Sequence, residues 1–171
     1  MHESIHMSTL GDQFSALTRV QALALLEPAF HLVDNRTHAH AAYAGWTGRE
    51  VLIHLAVYAR LVGALLQAAA DGRQPTPVEL FGRELSDEEL QFGLDDQNAA
   101  AQRQYAAFDW QQALDFWRAS HSHVSSQLAR LTDAQLAAPG PTYPPNWARA
   151  HLSDVVVALC DHYRAHMGNA T

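Results

Sequence analysis

The stretch TGREVLIHLAVYARLVGALLQAAADG, residues 47–72, decides the fold. Thr47 is a good helix N-cap, and Glu50 three residues on completes a capping box, which satisfies two backbone N–H groups otherwise left over at a helix start. Val51, Leu52, Leu55, Tyr58, Leu61, Val62, Leu65 and Leu66 then recur at intervals of three and four, the period of one apolar helix face. Asp71-Gly72 stops the run, with Pro75 and Pro77 behind it. Among these apolar residues stands His54. A polar ring on that face costs stability unless it is satisfied. A core histidine bonded to a neighbour and a metal ligand both meet that demand.

Helical period continues on either side. Residues 8–35 carry Leu10, Phe14, Leu17, Leu23, Leu26 and Phe30, with Pro28 expected to bend or weaken that helix late in its course. A short polar connection over 37–45 follows, and a longer Pro- and Gly-bearing one spans 72–85. Ser86 with Asp87-Glu88-Glu89 opens another helical stretch, weakened at Gly93 and continuing to about residue 107. Asp109 caps a helix with the stripe Leu114, Trp117, His121, Val124, Leu128 and Leu131. Residues 132–143 read as a loop. The last helix is expected from Asn146 to about residue 168, through Leu152, Val155, Val156, Leu159, His162, Tyr163 and His166. No strand-like alternation of any length occurs. Four main helices predict an all-α four-helix bundle, one domain over 1–171 with residues 1–7 as a flexible tail.

The chain has 171 residues, 48% hydrophobic and 17% charged, enough for one continuous core. A net charge of −7 argues against nucleic acid or an anionic membrane surface as partner, since both require a basic face. The single cysteine, Cys160, excludes an internal disulfide and a Cys-rich zinc module. No apolar run reaches the ~18 residues of a membrane span, and no secretory signal is visible. The expected setting is the cytoplasm.

Near the C-terminus the chain reads CDHYRAH, residues 160–166. His162 and His166 lie one turn apart on one helix face, within reach of one cation. Spacing alone fits both a ligand pair and coincidence in a chain with 11 histidines; His2 and His6 repeat it. His54 is the candidate third ligand. It falls about two turns into its helix, whereas His162 and His166 close theirs. The three share one end of the bundle only if those helices run antiparallel.

Together these residues resemble the DinB-like superfamily of damage-inducible bacterial four-helix bundles. GWTGREVLIHL, residues 45–55, is similar to its tryptophan-led helix start followed by histidine. Asn98 within LDDQNAAAQRQY resembles its asparagine-centred helix, and DHYRAHMGN, residues 161–169, its closing His-Tyr-x-x-His signature. The resemblance implies an up-down-down-up bundle with antiparallel second and fourth helices. It also implies a metal triad on His54, His162 and His166. The family's diversity implies a metal-dependent thiol S-transferase of the bacillithiol type, or a hydrolase, acting on small electrophiles in stress or detoxification. The alternative is a non-catalytic stress-related binding protein whose triad is structural or vestigial. A homodimer through an apolar bundle face fits either.

Three neutral imidazoles leave a divalent ion with an open position for a small-molecule substrate. Zn²⁺ and Ni²⁺ suit imidazole best, Fe²⁺ and Mn²⁺ remain compatible, and a low-molecular-weight thiol would be the co-substrate. Tyr58, four residues after His54, shares its face and is a candidate to contact substrate, or else packs with its hydroxyl at the core rim. His121 is a second such candidate, or else a satisfied interior histidine. Asp161 lies about 100° round the helix from His162, a poor position for orienting that ring. His151 is too far along the chain, and His31, His38 and His40 read as solvated. Cys160 reads as a small packed hydrophobe. Trp46 reads as a staple over the bundle end, and Trp110, Trp117 and Trp147 as packing.

Overall fold

In the computed structural model the described residues are 15–35, 45–89, 93–141, 143 and 149–167. They form seven α-helices: α1 (Arg19–Asp34), α2 (Gly48–Ala70), α3 (Pro77–Phe81), α4 (Leu94–Gln104), α5 (Trp110–Arg130), α6 (Asp133–Ala137) and α7 (Asp154–Met167). The all-α expectation holds. The tail with His2 and His6, the connection with His38 and His40, and Asn146 and Trp147 lie outside the described residues.

Capping explains where most helices begin. Thr47 accepts from the Glu50 backbone N–H while the Glu50 carboxylate takes the Thr47 N–H at 2.7 Å. Asp109 and Gln112 make the same reciprocal pair at α5. The start of α1 differs from expectation. Residues 15–18 are not helical, and Thr18 with Gln21 supplies the box. Pro28 sits inside α1, yet the helix runs on to Asp34. The carbonyl that Pro28 leaves without a helical partner belongs to Ala24, and both residues are exposed to water.

Three further differences have local causes. The 72–85 connection contains α3, set by a Thr76–Glu79 box, and the 132–143 loop contains α6, set by Thr132–Gln135. Ser86 and Glu89 do hydrogen-bond reciprocally, with a turn at Asp87 and Glu88 and a 3₁₀ conformation at Glu89, but α4 begins only at Leu94 after Gly93. The last helix begins at Asp154 because Leu152 and Ser153 donate their N–H groups to Ala138 and Leu136 at 2.6 and 3.0 Å. Those bonds hold the approach non-helical.

Contacts at the helix ends orient the elements. The Leu17 N–H reaches Ser153 Oγ at 3.1 Å, and further along the Cys160 thiol lies 3.7 Å from the Leu25 carbonyl, so α1 and α7 run alongside in the same sense. Arg118 pairs with Asp34 at 2.8 Å and Arg19 reaches the Ala129 carbonyl, so α5 opposes α1. Arg49 donates to the carbonyls of Tyr105 and Phe108 beside the start of α5, and Arg130 pairs with Asp71 at 2.6 Å beyond its end, so α2 and α5 run together.

The core holds Leu52, Ile53, Leu55, Leu66, Trp117, Leu128, Leu159 and Tyr163, all essentially inaccessible to solvent. By length and composition Gly48–Ala70 could cross a membrane, contrary to the sequence reading: its apolar character survives scattered polar residues. Within the fold 67% of that window is buried, as for a core helix.

Candidate metal centre

α2 and α7 carry the candidate ligands. Their relative direction follows from both ends of the pair. His54, near the start of α2, meets His162 and His166 near the end of α7. At the far end, Gln135 of α6 reaches the Ala69 carbonyl of α2 while Leu136 of α6 holds Ser153 before α7. The helices are therefore antiparallel, which is the arrangement the triad requires.

The three rings form a near-equilateral group. Centroids lie 4.7 Å apart for His54–His162, 4.7 Å for His54–His166 and 4.6 Å for His162–His166, with interplanar angles of 53°, 66° and 65°. One ligand atom from each ring lies within 4.8 Å of the others. A centre of such a triangle sits ~2.8 Å from each nitrogen at most, so rings moving inward by roughly 0.7 Å reach the Zn–N distance of ~2.0–2.1 Å. Rotation about χ1 and χ2 supplies a movement of that size.

Electrostatics keep these rings neutral, as ligation demands. Burial pushes His162 down to about 3, with His54 and His166 adding to the effect. Burial likewise pushes His54 down to about 4, aided by His166 and opposed by a hydrogen bond to Asn98. His166 is also lowered by burial. The buried Nε2 of His162 has no hydrogen-bond partner among the described residues. Such an atom costs about 1–3 kcal/mol unless something satisfies it, and a cation at the triad centre would do so. The donor set of three imidazoles and no carboxylate favours Zn²⁺ or Ni²⁺ over Mg²⁺ or Ca²⁺.

Around the triad, Trp46 presents an edge to His54 at 5.1 Å and 72°. Tyr58 stacks on His162 at 4.4 Å and 29°, with its hydroxyl pKa raised by burial and countered by the charge of Arg149. Asn98 and Arg149 are site neighbours whose roles sequence reasoning missed. Asn98 had only its motif to single it out, and Arg149 had no local signal. Cys160 points elsewhere, into the α1–α7 seam, and burial pushes its thiol up to about 12.

His121 takes a different place. Only 5% exposed, it touches Phe30, Trp117 and Tyr163, and shares a 3.3 Å hydrogen bond with the Tyr163 hydroxyl. Burial pushes this ring down to about 4. In the unfolded chain it titrates near ~6.5, so protons favour the unfolded state between those values. Folding stability is therefore expected to fall as pH drops from ~6.5 towards 4, by on the order of 3 kcal/mol from this group. His121→Gln should flatten that part of a urea-denaturation series. A slope identical to that of the unmodified protein would assign the acid sensitivity elsewhere.

A family model described as the DinB superfamily matches residues 17–170. No curated protein and no solved structure matches the chain.

Proposed function

The chain belongs to the DinB superfamily, and on that premise we propose that it is a divalent-metal-dependent enzyme acting on a small electrophile, with a low-molecular-weight thiol as co-substrate. The helix directions support reading α1, α2, α5 and α7 as an up-down-down-up four-helix bundle. The observation that carries the functional reading is the convergence of His54, His162 and His166, with the buried Nε2 of His162 unpartnered among the described residues.

His54, His162 and His166 would hold Zn²⁺ or Ni²⁺. When bound, such an ion supplies Lewis acidity that makes a thiol or water a stronger nucleophile at neutral pH. The chain's own residues do the rest. Burial holds all three rings below the ordinary imidazole range, so protons compete weakly for their nitrogens. Tyr58 stacks on His162, fixes that ring's tilt and forms a wall on the substrate side. Arg149, whose charge acts on the Tyr58 hydroxyl, favours an anionic group on the incoming molecule. Trp46 covers the outer edge of His54. No thiolate from the chain is needed, which agrees with the buried, protonated Cys160.

Titration of metal-stripped protein with Zn²⁺, Ni²⁺ and Co²⁺ tests the reading. One equivalent should bind, and glutathione added to the Co²⁺ form should change its visible spectrum. Absence of stoichiometric uptake would overturn the metal reading. Uptake with a spectrum indifferent to thiols would discard the transferase branch and leave the hydrolase.

A further inference from the structure

The ends of α3 and α4 meet α2 at Arg60. This residue lies six positions past His54 and about 120° round the helix from it, on a different face from the triad. Gly82, which caps α3, has φ 77°, and a Cβ built there would lie 2.7 Å from the Arg60 Cζ. The guanidinium therefore fills the space that a side chain at 82 would take. Its Nη1 donates to the hydroxyl of Tyr105, at the end of α4, at 3.0 Å. Among the described residues no carboxylate pairs with Arg60, whereas Arg73, Arg83 and Arg130 each have one.

The Tyr105 hydroxyl carries a second unmet demand. Gln104 Nε2 donates to it at 3.1 Å and to the Phe81 carbonyl at 3.2 Å. A carbonyl only accepts, so that atom is the amide nitrogen, and the Tyr105 oxygen accepts from it. Arginine only donates, so the same oxygen also accepts from Arg60. Two N–H groups fill its acceptor capacity and leave its own O–H proton unused. Tyr105 is only 9% exposed, and that proton meets no acceptor among the described residues. A buried donor without a partner is costly, and this one sits beside an unneutralised cation. An oxygen bearing negative charge satisfies both groups at once. His123 flanks the place. It packs on Gly63, one turn of α2 beyond Arg60, where an added Cβ would lie 2.6 Å from its Cδ2.

We propose that Arg60 and the Tyr105 hydroxyl bind a small oxyanion, of phosphate or carboxylate type, at a site separate from the metal centre. The site requires no metal. Metal-stripped protein is therefore titrated with inorganic phosphate and, separately, with acetate, at an ionic strength held constant with chloride. Binding is followed by NMR of the Arg60, Tyr105 and His123 side chains. At least one anion should saturate a single site and shift these three sets of signals. Phosphate alone identifies a phosphoryl-bearing ligand, and acetate alone a carboxylate-bearing one. Arg60→Gln should bind ~10–100-fold more weakly, the loss expected for a hydrogen bond to a charged group. Tyr105→Phe, which keeps the buried ring and removes only the hydroxyl, should bind ~10-fold more weakly. Circular dichroism checks that both variants fold. If Arg60→Gln does not, Arg60→Lys takes its place, since it keeps the charge but loses the planar fork, and should bind ~10-fold more weakly. The site is overturned if neither anion saturates, if the shifts map elsewhere, or if a folded variant keeps full affinity.

Discussion

Replacing His162 with alanine is expected to weaken Zn²⁺ or Ni²⁺ binding by more than ~100-fold, beyond what loss of an outer-shell partner costs. His162 is chosen because it lies at the middle of the site. Its ring touches His54, His166 and Tyr58 with centroids 4.4–4.7 Å away. Without it, two imidazoles from different helices remain, and Tyr58 loses the ring against which it stacks. His54→Ala should act similarly, since it removes the only ligand on α2 and with it any metal bridge between α2 and α7. Cys160→Ala is the matched control. It lies two residues before His162 on the same helix, but its thiol packs towards the Leu25 carbonyl and is held protonated by burial. Metal content measured on purified proteins should drop for both histidine variants and stay unchanged for the cysteine variant. Retention of one equivalent by His162→Ala would place the metal somewhere other than this triad.

How much of this was legible before folding depends on where each determinant resides. The start of α2 was visible because the Thr47–Glu50 box and the apolar period point to the same residue. The same box motif at Thr76 and Thr132 went unread, since a five-residue helix is too short to show any period. The beginning of α7 was misplaced for a different reason: bonds from Leu152 and Ser153 to α6 set it, and those partners are distant in sequence. The triad was legible as spacing plus a demand on helix direction. Asn98 stood out as a motif, whereas the contact of Gln102 with the Glu50 carbonyl shows only in the fold, where α4 lies along α2. His121 shows the limit of a helical stripe: period places it inward without saying whether a ligand or an aromatic cluster waits there.

That aromatic cluster is where the largest loss of stability should arise. Trp117 is completely buried on α5. It stacks on Phe30 of α1 at 5.1 Å and 17°, and meets Tyr163 of α7 at 5.9 Å and 63°. One side chain therefore fills the space where three helices meet. Trp117→Ala should cost about 3–5 kcal/mol, the range for deleting a buried aromatic whose surroundings collapse only in part. For a chain of this size the midpoint of thermal unfolding should fall by on the order of 10 °C. Trp117→Phe keeps a ring against Phe30 and Tyr163 and should lose markedly less. The metal centre should also feel the change, because Tyr163 adjoins His162 on α7 and helps set the rotation of that helix. Zn²⁺ affinity is accordingly expected to weaken in Trp117→Ala, though far less than in His162→Ala. A urea-denaturation loss below ~1 kcal/mol would mean the cavity closes almost fully. The three-helix junction would then not be what holds α7 in register with α2.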